Sequence, residues 1–315
     1  MKNPRFAVLA PLALALALPL FAGARKSYPM NLPATGVQSV VFDLQEGDFV
    51  LRGDPAATEV RMNVSIDRTW FFKLGEENIL HRLITVSGQG TKELKVVTDI
   101  PRALSNWGRA QYPIDFEVIV PAAMKVRVHD TSGKIELVGV QGDVEIDDGS
   151  GTLSAWQLGG ALRIRKQSGD IRVEDVRGPT TVNSHSGQSH LARLNTLEVE
   201  DSDGNLDVSD VASARIHNRG GNVRVERVKG DVEIDDDSGE IVVADVSAAV
   251  TIRDTSGQIR TARTGAVTIQ DTSGDVTVVQ AASLRINAKE SGEVMVRQVA
   301  GPLETAPGVK VKPLR

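Results

Sequence analysis

Three consecutive stretches, VEIDDDSGEIVVADVSAA (232–249), VTIRDTSGQIRTARTGA (250–266) and VTIQDTSGDVTVVQAAS (267–283), align on one another without a gap through their first eleven residues. Each opens with aliphatic-x-aliphatic-x-Asp, turns through two polar residues into glycine, and resumes with x-aliphatic. Outward from these stretches the same glycine recurs at Gly133, Gly151, Gly169, Gly187, Gly204, Gly221, Gly239, Gly257, Gly274 and Gly292, always 17 or 18 residues apart. Eight of the ten follow serine, so the column is a repeat and not a composition bias. A fixed period of this kind is the signature of a repeat architecture.

Two residues after each glycine stands an aliphatic residue (Ile135, Leu153, Ile171, Leu206 and onward), with Ser189 the exception. Further columns follow four and seven residues after it, such as Val173/Val176 and Val243/Val246. β-Branched aliphatics alternating with polar residues mark a strand with one buried face. A strand of three to five residues cannot bury that face alone, but stacked copies bury it against one another. The expected fold is therefore all-β: a β-solenoid (β-helix) of about ten 17–18-residue coils over residues 125–301. At roughly 4.8 Å per coil its length is about 45–50 Å.

Residues 25–124 read as an N-terminal β-rich segment capping the open edge of the solenoid. Candidate strands are Val40–Leu44, Phe49–Leu51, Val60–Ile66, Leu83–Val86, Leu94–Val97 and Phe116–Val120. Glu46-Gly47-Asp48-Phe49-Val50-Leu51 imitates the opening of the repeat. Trp70-Phe71-Phe72, Trp107 and Tyr112 suggest a thicker core there than in the coils. Residues 302–315, with Pro302, Pro307 and Pro313, form a C-terminal tail that wraps or frays at the far end.

Residues 1–24 read as a secretory signal peptide. Lys2 and Arg5 precede an Ala/Leu-rich run from Phe6 to Ala22, and Ala22-Gly23-Ala24 fits the small-x-small cleavage pattern. Pro11 and Pro19 interrupt the run, which is short for a bilayer span. Cleavage near Ala24 would leave a mature chain without a transmembrane segment, exported to the periplasm, to the cell surface or beyond. Loss of Lys2 and Arg5 would take the formal charge from −5 to −7. That balance disfavours nucleic acid as a partner. Cysteine is absent, which excludes disulfides, thiolate metal sites and a thiol nucleophile.

Units such as SGDIRVEDV (168–176), KGDVEIDDD (229–237) and SGEIVVADV (238–246), behind a leader and a β-rich segment, resemble the bacterial putative-adhesin domain family of toastrack β-solenoids. The resemblance spans roughly residues 37–301. It implies an exported β-solenoid and, in some relatives, association with envelope-stress systems. It brings no catalytic residues with it.

Three residues before each glycine runs a polar column: Asp130, Asp148, Lys166, Ser184, Asp201, Asn218, Asp236, Asp254, Asp271 and Lys289. Asp or Asn at the first position with Gly at the fourth is a type I turn signature, and that is the favoured reading. The rival reading is a carboxylate ladder binding calcium, with Asp235, Asp236 and Asp237 as its best site. No other cofactor is expected. His81, His129, His185, His190 and His217 show no H-x-x-x-H spacing and read as surface residues, with a three-histidine site of His185, His190 and His217 as the rival reading, and no Gly-x-Ser-x-Gly nucleophile elbow is present. A polysaccharide-active β-helix enzyme would need Asp201 and Asp203 as its carboxylates and Trp156 as its sugar-stacking ring. The preferred function is a non-enzymatic, adhesin-like binding or structural module of the cell envelope, recognising an envelope protein or a cell-surface polymer. An envelope-stress sensor or scaffold that binds another protein is the alternative. Oligomeric state has no signature in the sequence.

Overall fold

The computed structural model describes residues 25–67, 79–100 and 114–314. The leader, Trp70-Phe71-Phe72, Trp107 and Tyr112 fall outside them. The described chain is a β-solenoid built as a single 20-stranded sheet system, with one five-residue helix, α1 (Ile79–Leu83).

Each coil has two arms that meet at the repeated glycine. In β9 (Val144–Leu158) the first arm presents Val144, Ile146 and Asp148 inward, and the second presents Leu153 and Ala155. The chain then bends again and buries Leu158. Coils stack parallel and in register. β9 pairs with β8 (Lys125–Val138) so that Ile146 lies on Val128 and Leu153 on Ile135. The same holds along the rod, for example between β16 (Val232–Val246) and β17 (Val250–Ala288), where Ile234 meets Ile252 and Gly239 meets Gly257. The columns seen in the sequence are thus vertical stacks of one continuous core.

The six candidate strands of the N-terminal region all form, with small shifts of boundary: β2 (Ser39–Asp43), β3 (Phe49–Asp54), β4 (Glu59–Asp67), β5 (Ile84–Ser87), β6 (Glu93–Thr98) and β7 (Ile114–Pro121). Leu83 belongs to α1 instead of the strand assigned to it. β2 and β3 are the two arms of an earlier coil. β2 pairs parallel with the first arm of β8, and β3 with its second arm. Gly47 therefore takes the place beneath Gly133, although 86 residues separate them in the chain. β6 and β7 add a rung below, parallel to β2 and β3. Antiparallel β5 closes one face. On the other, β4 and β1 (Arg25–Pro33) close it, also antiparallel. Phe42, Phe49 and Phe116 interlock there, with centroids 4.9 and 6.5 Å apart. At the far end β19 (Leu303–Thr305) and β20 (Val311–Pro313) add a parallel rung, so residues 302–314 continue the stack.

The second bend of every coil was not foreseen. Its residue adopts φ between 54° and 59° in Gln157, Asp175, Arg193, Asp210, Arg227, Asp245, Arg263, Gln280 and Gln298, and Gly139 holds the same place in β8's coil. This left-handed conformation costs a non-glycine residue roughly 1–2 kcal/mol. The column offsets part of that by side-chain pairing between coils. Arg193 grips Asp175, Arg227 grips Asp210 at 2.9 and 3.0 Å, and Arg263 grips Asp245 at 2.5 and 2.7 Å, all bidentate. Gln157 has no ionic partner. Gln157→Gly is accordingly expected to raise stability by up to about 1 kcal/mol, whereas Arg227→Gly should give no gain. Urea midpoints of the two variants test this, and equal gains would show that the ion pairs do nothing.

Candidate functional site

Two surfaces of the coil have chemistry to offer: the inside of the first corner, and the outer face of the second arm. At the first corner the polar column points inward. Asp130, Asp148, Lys166, Ser184, Asp201, Asn218, Asp236, Asp254 and Asp271 are all buried, and Lys289 buries its side chain at the column's end. Turn chemistry is present but partial. Asp201 accepts the Gly204 N–H at 2.7 Å, and Asp254 accepts that of Ser256 at 3.2 Å. Backbone N–H groups of the same corner also pull down Asp130, Asp148, Asp236 and Asp271, and the side-chain contacts run between coils. Lys166 donates to Asp148, and Ser184 to Asp201. The Asn218 amide donates to Asp236 at 2.9 Å, and Lys289 to Asp271 at 2.5 Å.

These donors do not cover the carboxylates. Asp130, on both oxygens, and Asp148, Asp236, Asp254 and Asp271, on one each, lack a well-formed hydrogen bond, although the Thr131 and Ser132 N–H groups of the same corner still pull Asp130 down. Burial, reinforced by the Asp148 charge, pushes Asp130 up to about 7. Burial and Asp254 push Asp236 up to about 7, and burial and Asp271 push Asp254 up to about 6. Burial also raises Asp148 and Asp271, against the pull of Lys166 and Lys289.

The three calcium candidates border one shallow depression but point differently. Asp236 faces the interior, Asp237 is exposed, and Asp235 pairs with Arg253 at 3.0 Å on the outside. Among the described residues no group of three or more His, Asp or Glu side chains converges as a metal site. Asp201 and Asp203 are also parted, the first buried and the second exposed. His190 stands 3.2 Å from Asp207, and His129 stands 3.9 Å from Asp147. His185 and His217 are exposed, and His81 sits on α1.

The outer face of the second arm holds a shallow groove of about 670 Å³ crossing coils from Thr152 to Val242. Beside it, a depression of about 360 Å³ is lined by Lys134, Glu136, Trp156, Arg172 and Glu174. Some of its polar groups are already engaged. The Asp170 carboxylate accepts the Gln188 N–H at 3.1 Å, and the Asn205 side chain accepts that of Asn222 at 2.9 Å. Arg172 pairs with Glu174, and Arg224 with Glu226. Gln188, His190 and Asp207 keep one edge towards solvent, and Trp156 is half-buried beside them. The arrangement is suited to binding an extended polar ligand. It offers no nucleophile with an adjacent base.

Residues 177–301 match the family model described as Toastrack DUF4097. No curated protein matches the chain. Among solved structures, a putative cell adhesion protein from Clostridium sporogenes is 8% identical over 90% of this chain and 100% of its own, with a TM-score of 0.24. Two proteins from Parabacteroides distasonis, a putative adhesin and a putative lipid binding protein, are 9% and 13% identical, each over 90% of this chain and 98% of its own, with a TM-score of 0.29. Likeness at these scores carries no weight for function. The stretch that is similar to the Toastrack DUF4097 family, residues 177–301, coincides with regular stacked coils of 17–18 residues.

Proposed function

We propose that the chain is an exported, non-enzymatic binding module of the cell envelope, and that it engages its ligand along the outer face of the second arm. The observation that carries this reading is the groove from Thr152 to Val242 with Trp156 at its flank. It is long, open and polar, whereas a catalytic cleft needs a reacting group held against a base in a site that excludes water. Solenoids use such repetitive faces to recognise extended partners. The ligand is a cell-surface polymer or an envelope protein. Trp156→Ala combined with Arg172→Ala should weaken retention on isolated envelope material about tenfold or more, since interface aromatics and arginines dominate binding. Unchanged retention would refute the placement of the site.

The described residues include no helix long and apolar enough to cross a membrane. Export rests on the leader, and protease added to intact and osmotically opened cells reads the destination. Digestion of intact cells supports adhesion. Digestion only after opening favours the sensor or scaffold role. An intracellular pool carrying an uncleaved leader would defeat both.

A further inference from the structure

We infer that the buried carboxylate column holds protons at neutral pH, one on the pair Asp130 and Asp148 and one on the pair Asp236 and Asp254, and that these protons are structural parts of the rod.

The register stacks Asp148 on Asp130 and Asp254 on Asp236, at the strand spacing of roughly 4.8 Å, and all four side chains are buried. Like charges this close in a buried site cannot both ionise without penalty. The column's own cations are too few. In the lower block Asp130 and Asp148 share only Lys166. In the upper block Asp236, Asp254 and Asp271 share only Lys289, whose bond goes to Asp271. Ser184 and Asn218 are neutral.

The unsatisfied oxygens occur where a proton would serve. Asp130 has no well-formed hydrogen bond on either oxygen, with only the Thr131 and Ser132 N–H groups leaning towards it, and Asp148 Oδ1 is bare one coil above. Asp236 Oδ2 and Asp254 Oδ2 are bare in neighbouring coils. One proton per pair removes one charge and adds an O–H donor to a column that is short of donors.

The surroundings reinforce this. Beneath Asp130 the column position is occupied by buried Leu44, which offers no donor side chain. His129 and Asp147 flank that pair on the outer side of the strands. The upper pair has Asn218 below it and Asp271 with Lys289 above it. Over its outer side lie His217, Asp235, Asp237 and Arg253, of which Arg253 is committed to Asp235 and Glu233. The upward displacement of Asp130, Asp236 and Asp254 agrees with the geometry.

The sign of the pH response follows. These groups bind protons more tightly folded than unfolded, so their stabilisation is full below the unfolded value of about 4 and is lost as pH rises to about 7. The outer carboxylates gripped by arginine, such as Asp175, Asp210 and Asp245, are held low and act oppositely, losing stabilisation as pH falls below about 4. The rod is therefore most stable in weak acid.

The test uses the full mature chain with ¹³C-labelled aspartate. Infrared spectra near neutral pH should show a protonated-carboxyl carbonyl band, absent from surface aspartates, which fades towards alkaline pH. Tm should be several degrees higher near pH 5 than near pH 8. Asp130→Asn with Asp254→Asn, which replaces one carboxyl of each pair by a neutral amide, should remove most of the band and flatten the Tm profile. No carboxyl band near neutral pH in the wild-type chain would overturn the inference, and that readout does not depend on the variant folding. So would calcium that raises Tm and abolishes the band, because the surplus charge would then be held by a cation.

Discussion

Gly257→Ala lowers the unfolding free energy by about 3–5 kcal/mol, an expected loss from one methyl group. Gly257 has φ +147°, and a Cβ built on it would lie 1.8 Å from the carbonyl oxygen of Gly239, one coil below. No rotamer relieves that contact, because both atoms belong to backbone held in register by ladder bonds on either side. Apart from Gly204, where a Cβ would first meet the Asp201 carboxylate at 2.5 Å, each glycine of the column meets its neighbour in the same manner, down to Gly133 over Gly47 at 1.9 Å. Gly90 provides the control. It has φ +79° but nothing within 4 Å of a new Cβ, so Gly90→Ala should cost only the left-handed penalty of about 1–2 kcal/mol. Urea denaturation of the two variants measures the difference. Equal losses would mean that conformational preference, and not close backbone approach, selects glycine at the corner.

The second large effect is expected at Lys166. Its ammonium is fully buried against Asp148, and it is the sole cation in the lower half of the column. Lys166→Met fills the space but strands Asp148 and Asp130 without compensation, at a cost of about 3–5 kcal/mol. The loss should be greater near pH 8 than near pH 5, because in weak acid Asp148 can be neutralised by a proton. Lys166→Met with Asp148→Leu should recover most of the stability, since replacing both partners of a buried pair with apolar groups is often neutral. Denaturation of the single and double variants at both pH values decides the matter. A double variant no better than the single would show that the lysine acts through packing alone.

Much of the architecture was open to reading from the residues. Alternating Val and Ile on a 17–18-residue beat has one economical solution, in which identical short strands stack. The Gly47 motif announced a coil that the long interruption after it disguised. Two things were hidden. Gln157, Asp210 and Arg227 share no side-chain property that signals a left-handed bend, since the coil imposes that conformation on whatever stands there. The aspartate column resembled a solvent-facing turn because Asp three residues before Gly is common to both settings. Parity was the available clue. Asp236 follows Val232 and Ile234 at intervals of two and must share their inward direction. The outer groove had no linear motif at all, because its residues come from coils brought together only by stacking.

The pairing of Gly47 with Gly133 has a bearing on how the chain assembles. Most later rungs are closed by the next 17 or 18 residues, as between β12 (Thr180–Leu194) and β13 (Thr196–Ser209). β2 must wait for β8, whose register lies 86 residues onward. Closing the larger loop carries an extra entropic penalty of about 1.4 kcal/mol, and it brings only one rung of pairing when it closes. Nucleation therefore belongs to the regular coils, and zipping proceeds by short local steps in either direction from wherever it begins. The end that is synthesised first is the last to be sealed. During that interval β2 and β3 stand with an open edge.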